Sequence, residues 1–215
     1  MHISEGVLSA PVLITGAVVA VTGTAIGLRK LDLDRVAQAG MMSAAFFVAS
    51  LIHVPVGPSS VHLILNGIVG LLLGWAAFPA ILIALLLQAM LFQYGGITTL
   101  GVNTVIMAVP AVVCYLVFGP LLLRKPPVCT AAAVASGAGA VLLGALLAAG
   151  SLMFTEDSFL AVAGLVVAAH LPVMAIEGVV TAFCVSFLKK VKPEMLPGFE
   201  ASGRRAVNPE CIDRS

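Results

Sequence analysis

Four histidines, His2, His53, His62 and His170, are the side chains of this 215-residue chain best suited to holding a transition metal. His2 stands apart because it adjoins the amino terminus, in the stretch "MHISEGVLS". A metal held by the α-amino group of Met1, the deprotonated amide nitrogen of His2 and its imidazole Nδ1 closes a five-membered and then a six-membered ring. A further nitrogen from a loop histidine, His62 or His53, would complete an all-nitrogen tetragonal set, which suits Ni(II) or Cu(II) and can hold low-spin Co(II). Mg²⁺ and Ca²⁺ prefer oxygen ligands and would gain little there. The alternative reading of the same stretch is a frayed tail.

Other polar residues cluster with these histidines. Glu5 could accept a hydrogen bond from a ligand imidazole, or simply be an interfacial acid. Asn66 follows His62 by about one helical turn, and Asn103, Thr98 and Thr99 belong to "FQYGGITTLGVNT"; such groups can line a pocket or pair loop backbone, and pairing is the commoner use. His170 and Glu177, in "HLPVMAIEGVVT", are seven apart and share one helix face. Glu177 is the one acid deep in an apolar segment, where an unpaired charge is expensive; the expectation is a packing or conformational role rather than a proton carrier. Cys114, Cys129, Cys184 and Cys211 show no C-x-x-C spacing and read as small hydrophobes.

The elements that must carry these groups are set by composition. With 60% apolar residues, 10% charged and a mean hydropathy of +1.13, the chain falls in the polytopic membrane class. A formal charge of +1, with no basic stripe, excludes nucleic acid as a partner. A spanning helix needs about 20 apolar residues, and seven candidate segments appear, at 10–28, 36–54, 61–78, 79–94, 102–123, 128–153 and 159–188. Pro79 is expected to break the third from the fourth. The fold class is therefore all-α, with seven transmembrane helices.

Residues 1–9 lack Lys and Arg, inverting the order of a secretory signal, so the N-terminus is expected to be retained and outside. With that orientation all eleven basic residues fall in the inner segments, as the positive-inside bias requires; joining 61–94 into one span would put Arg124 and Lys125 outside. The histidines and polar loops then share the outer side. Residues 1–188 form the membrane domain, and 189–215 read as a flexible cytoplasmic tail.

Three stretches, "MHISEGVLS", "HVPVGPSSVHLILNGIVGLLLGW" and "HLPVMAIEG", resemble the CbiM/NikM family, the substrate-binding membrane component of cobalt and nickel energy-coupling-factor transporters of bacterial and archaeal cell membranes. The resemblance covers about residues 1–188, although "VGPSSVH" departs from the family form with "SHPTGTG". It implies an N-terminal segment folded back into the bundle, with Met1, His2 and His62 as metal ligands. His53, Glu5, Asn66 and Asn103 become supporting or alternative groups. It also implies Co²⁺ or Ni²⁺ as transported substrate with no catalytic cofactor, cobalt slightly favoured. The partners would be a transmembrane coupling subunit, two ATPase subunits and a small accessory membrane subunit. The chain itself has no G-x-x-x-x-G-K-[ST] phosphate loop, so energy would come from those partners. A self-contained metal permease is the alternative, but the chain shows no internal repeat. An enzyme is not expected, since H-E-x-x-H and any paired nucleophile and base are missing.

Overall fold

The computed structural model describes residues 2–51, 53–56, 59–155 and 160–196; for 53–56, 59–62 and 160–163 it describes the backbone alone. Helices dominate: α1 (Ala10–Arg29), α2 (Val36–Leu51), α3 (Asn66–Leu73), α4 (Ala77–Phe92), α5 (Leu100–Phe118), α6 (Pro126–Met153) and α7 (Leu160–Val191). Between α2 and α3 the chain forms a short antiparallel hairpin, β1 (His53–Val56) and β2 (Ser59–His62), with His53 opposite His62. The all-α expectation thus holds for the scaffold and is corrected at this hairpin. Its extended backbone also shortens the second segment, expected to reach 54, and delays the third, expected from 61.

Helix ends follow local chemistry. Pro11 and Pro126 sit in the first turns of α1 and α6, where proline sacrifices no helical hydrogen bond. α1 stops at the charged stretch Arg29 to Asp32, with the Lys30 N–H bonded to the Gly27 and Ile26 carbonyls.

The third and fourth segments separate earlier than expected. The chain breaks at a 3₁₀ turn, Gly74–Ala76, where Gly74 has φ +56 and ψ −125, a region only glycine enters cheaply. Pro79 lies in the first turn of α4 and breaks nothing. This turn reverses the chain. Gly70 lies against Ala111 and Gly74 against the Tyr115 ring, so α3 runs parallel to α5, whereas Ser43 and Ser50 of α2 meet Ala80 and Gln88, so α4 runs with α2. At eight residues α3 rises about 12 Å, well short of a hydrocarbon core of about 30 Å.

The two ends of the bundle differ. At one end lie Trp75 stacked on Phe78, with the Lys30 ammonium 5.1 Å from the Trp75 ring centroid. Arg35 donates to the Leu72 carbonyl there, and Lys189 to those of Leu122 and Arg124. The N-terminal residues occupy the other end. Gly23 and Gly27 pack within the molecule, against Phe78, Trp75 and Pro79.

Among the described residues five helical runs are long and apolar enough to cross a membrane: 10–29, 66–92, 100–121, 126–153 and 164–191. The 66–92 run is the reversed α3–α4 pair, and α2, at 16 residues, is shorter than that length. Val21 at 70% and Phe183 at 72% exposure typify an apolar outer surface that water would not tolerate at this extent. The chain is a multi-pass membrane protein.

Candidate metal centre

The N-terminal segment is threaded into the bundle rather than frayed: Ile3 and Leu8 are both 8% exposed. Asn103 of α5 brackets Ile3, its Oδ1 accepting the Ile3 N–H at 3.0 Å and its Nδ2 donating to the Ile3 carbonyl at 3.1 Å. One side chain thereby supplies the pair of bonds that a neighbouring strand would. Two residues on, the Glu5 N–H donates to the Gly95 carbonyl and the Glu5 carboxylate accepts the Thr98 N–H at 3.1 Å. The fit is tight: a Cβ on Gly96 would collide with the Glu5 side chain. The Thr98 amide holds the Glu5 carboxyl below the ordinary carboxylate range. The Ser9 N–H then meets Thr155 Oγ1 at 3.3 Å.

His2 is placed by a relay through two helices. Its Nε2 lies 2.7 Å from Gln88 Oε1, Gln88 Nε2 donates to Ser50 Oγ at 2.6 Å, and Ser50 Oγ donates to the Phe47 carbonyl at 2.7 Å. The far end sets the polarity of the whole chain of bonds. A backbone carbonyl only accepts, so the one Ser50 hydrogen goes to Phe47. Ser50 must then accept from the Gln88 amide, and Gln88 turns its carbonyl to His2. The His2 Nε2 therefore carries the hydrogen, and in the neutral ring the lone pair sits on Nδ1. That is the nitrogen the terminal chelate needs, with the opposite N–H held by an acceptor as metal-bound imidazoles usually are. Phe92, stacked on Tyr94 and in tilted contact with Phe47, roofs this corner, and the Tyr94 ring centroid is 6.2 Å from that of His2.

Met1 lies outside the described residues, and His53 and His62 are described by backbone alone, as cross-strand neighbours. Of the remaining candidates, Glu5 and Asn103 hold backbone of the N-terminal segment and the 95–99 loop. Asn66 Nδ2 donates to the Ala140 carbonyl at 3.4 Å in α6, beside α3 rather than beside His2. His170 Nδ1 lies 2.7 Å from the Val166 carbonyl of its own helix. Cys114, Cys129 and Cys184 are free thiols, as expected of small hydrophobes, while Cys211 lies outside the described residues. Among the described residues no three His, Cys, Asp or Glu side chains converge; the terminal chelate expected from the sequence would draw instead on main-chain nitrogens.

Gln88 and Ser50 are missing from the reading of the sequence. The available signal was an amide inside "ILIALLLQAM", where an uncharged polar group in an apolar helix must find a partner.

Comparison with known proteins gives a consistent answer. A family model described as the CbiM cobalt uptake substrate-specific transmembrane region matches residues 2–195. A putative metal transport protein of Haemophilus influenzae is 45% identical over 199 residues, covering 91% of this chain and 97% of its own length. A fused nickel transport protein, NikMN, of Rhodobacter capsulatus is 39% identical over 115 residues, covering 51% of this chain; the match spans 33% of that longer protein. Among solved structures, a truncated transition metal transporter superposes with a TM-score of 0.71 at 27% identity, covering 88% of this chain and 99% of that one. A half-buried N-terminal histidine whose Nε2 is held by Gln88, on a membrane bundle of this shape, agrees with those matches, and the chain belongs to the CbiM family of cobalt uptake substrate-specific transmembrane regions.

Proposed function

We propose that this chain captures Co²⁺ or Ni²⁺ through the Met1 amine, the His2 amide nitrogen and Nδ1, and the His62 imidazole, as the substrate-binding component of an energy-coupling-factor importer. The observation that carries this reading is the His2–Gln88–Ser50 relay, because it leaves Nδ1 as the lone-pair nitrogen next to the terminus. The hairpin register adds to it: His62 and His53 face each other across the ladder, so the fourth nitrogen and its alternative arise from the same short element. The metal is cargo. The family is one of metal transport rather than of enzymes, and cobalt in the family's description beside nickel in a relative's name leaves the donor set to serve both ions.

In the membrane, α1 to α7 would cross in alternating directions, α3 doing so together with the extended stretch 63–65. The His2 end would face outside, because Lys30, Arg35, Arg124 and Lys189 gather at the other. The apolar outer surface offers contact to a coupling subunit and an accessory membrane subunit, with two ATPases supplying energy. The fused relative, three times the length matched here, supports such joining.

The test is an N-terminal extension. One residue added before Met1 moves the amine away from the chelate, so tight Co²⁺ and Ni²⁺ binding should vanish in a titration while the helical circular dichroism stays; unchanged affinity would sink the terminal chelate. Reconstituted alone, the chain should bind metal without accumulating it. Uptake against a gradient without ATPases would establish the permease alternative.

A further inference from the structure

Glu177 lies in the middle of α7 and is fully buried, yet it takes no part in the His2 relay. Its Oε1 accepts the backbone N–H groups of Ile64 and, at 2.7 Å, Leu65. These are amides at the entrance to α3, which begins at Asn66 and, like any helix, starts with amides that lack internal acceptors. Leu65 is left-handed, with φ +56, and supplies no side-chain cap. A carboxylate more than a hundred residues away in sequence instead holds the two amides that lead into the helix.

The position of these two amides gives the contact its meaning. Ile64 and Leu65 follow His62 by two and three residues, and His62 ends the hairpin opposite His53. The stretch between is too short to wander: two extended residues span about 7 Å at most. On its other side the α3 entrance is closed by α6, where Asn66 bonds the Ala140 carbonyl and Gly67 lies against Gly137. Below Glu177, Gly137 faces the Thr181 hydroxyl across a gap that no Cβ would fit. The base of the hairpin is thus gripped between two helices that pack along most of their length, with Glu177 as the polar half of the grip.

We infer that Glu177 is a positioning residue for the metal site: it fixes the strand that carries His62, and so sets where the fourth nitrogen stands relative to the His2 chelate. This rests on the reading of His62 as a ligand. Glu177 is not itself proposed as a ligand. It acts through the two amides.

The experiment uses the full chain in detergent or nanodiscs, with Glu177→Gln, Glu177→Ala and His62→Ala. Glu177→Gln keeps an oxygen acceptor of the same reach and should fold if Glu177→Ala does not. In the metal-free protein, hydrogen exchange of the Ile64 and Leu65 amides should accelerate in Glu177→Ala and less in Glu177→Gln, while exchange in α5 stays as in the parent. With Ni²⁺ or Co²⁺ titrated in, affinity should fall by roughly tenfold to a hundredfold, the range found when a group that orients a ligand is lost. The bound fraction should show the absorption spectrum of His62→Ala, one nitrogen short, with Glu177→Gln partly restored. A merely structural defect would lower the bound fraction without changing that spectrum. Unchanged exchange at Ile64 and Leu65 in either folded variant overturns the grip. Faster exchange with the parental spectrum and affinity, while His62→Ala alters both, overturns the positioning role. If His62→Ala itself leaves the spectrum untouched, the ligand reading fails and the positioning role with it, whereas the exchange result still decides whether the grip exists.

Discussion

The N-terminal arm, residues 2–9, and the hairpin arm, residues 53–65, reach the same end of the bundle and are held in different ways. The first is tied at nearly every step: His2 to Gln88, Ile3 to Asn103 twice, Glu5 to Gly95 and Thr98, Ser9 to Thr155. The second pairs with itself and is gripped at its base by Glu177. The contrast matches what each arm is proposed to deliver. Main-chain nitrogens are aimed by the backbone itself, so fixing the backbone pre-sets where they point. An imidazole swings on its own torsions, so one anchor close by suffices.

The largest effect that could break this contrast is expected at Asn103. Asn103→Ala removes both bonds to Ile3 and leaves a buried N–H and carbonyl unpaired, a cost of about 1–3 kcal/mol, or roughly one to two orders of magnitude in metal affinity. Calorimetric titration of Co²⁺ into the purified variant would measure it; a parental affinity would mean the arm is held without its bracket. Gln88→Leu comes next. It frees the His2 ring to choose its tautomer and strands Ser50, so affinity should fall by roughly tenfold or more. The pH at which half the metal is released should also shift, since a ligand that must first lose or move a proton competes less well. A release profile identical to the parent's would remove the relay from the account.

Glu5 should matter least. It is exposed, and its bond to Thr98 is screened by water. Its carboxyl is held below the ordinary range by the Thr98 amide, so its contribution is complete above the ordinary carboxylate range and fades as pH falls through the depressed value. Glu5→Gln should therefore bind metal almost as the parent does at neutral pH. The acid-side loss of thermal stability should be slightly shallower, as measured by melting from pH 7 down to 3. A large defect at neutral pH would give Glu5 a role at the metal itself.

How much of this was legible in the sequence depends on the kind of force involved. Apolar runs near 20 residues mark the long helices, and the adjacency of His2 to the terminus raises the expectation of a chelate, because both signals are local. The reversal between α3 and α4 was anticipated but misplaced: Pro79 is the louder breaker, yet the turn needs the positive φ of Gly74. The hairpin went unrecognised although "HVPVGPSSVH" carries β-branched residues on both sides of Gly-Pro, a turn signal in its own right. Gln88 signals only that it needs a partner; that the partner is Ser50, and which groups Glu177 holds, could not be read. Those pairings join residues 38 and 113 apart in sequence, which nothing along the chain encodes.

The short α3 has a consequence for where cargo can rest. Ala111, which Gly70 touches, lies eight residues along α5 from Asn103, which brackets Ile3; since α3 starts at Asn66, before Gly70, the N-terminal arm meets α5 only about one turn beyond the first residue of α3. α3 and the N-terminal arm thus share α5 as a neighbour at successive levels, the arm lying where the helix has not yet begun. Lengthening that helix by one turn at its start would bring it to the level of the arm and should displace it, with every proposed ligand left unmutated.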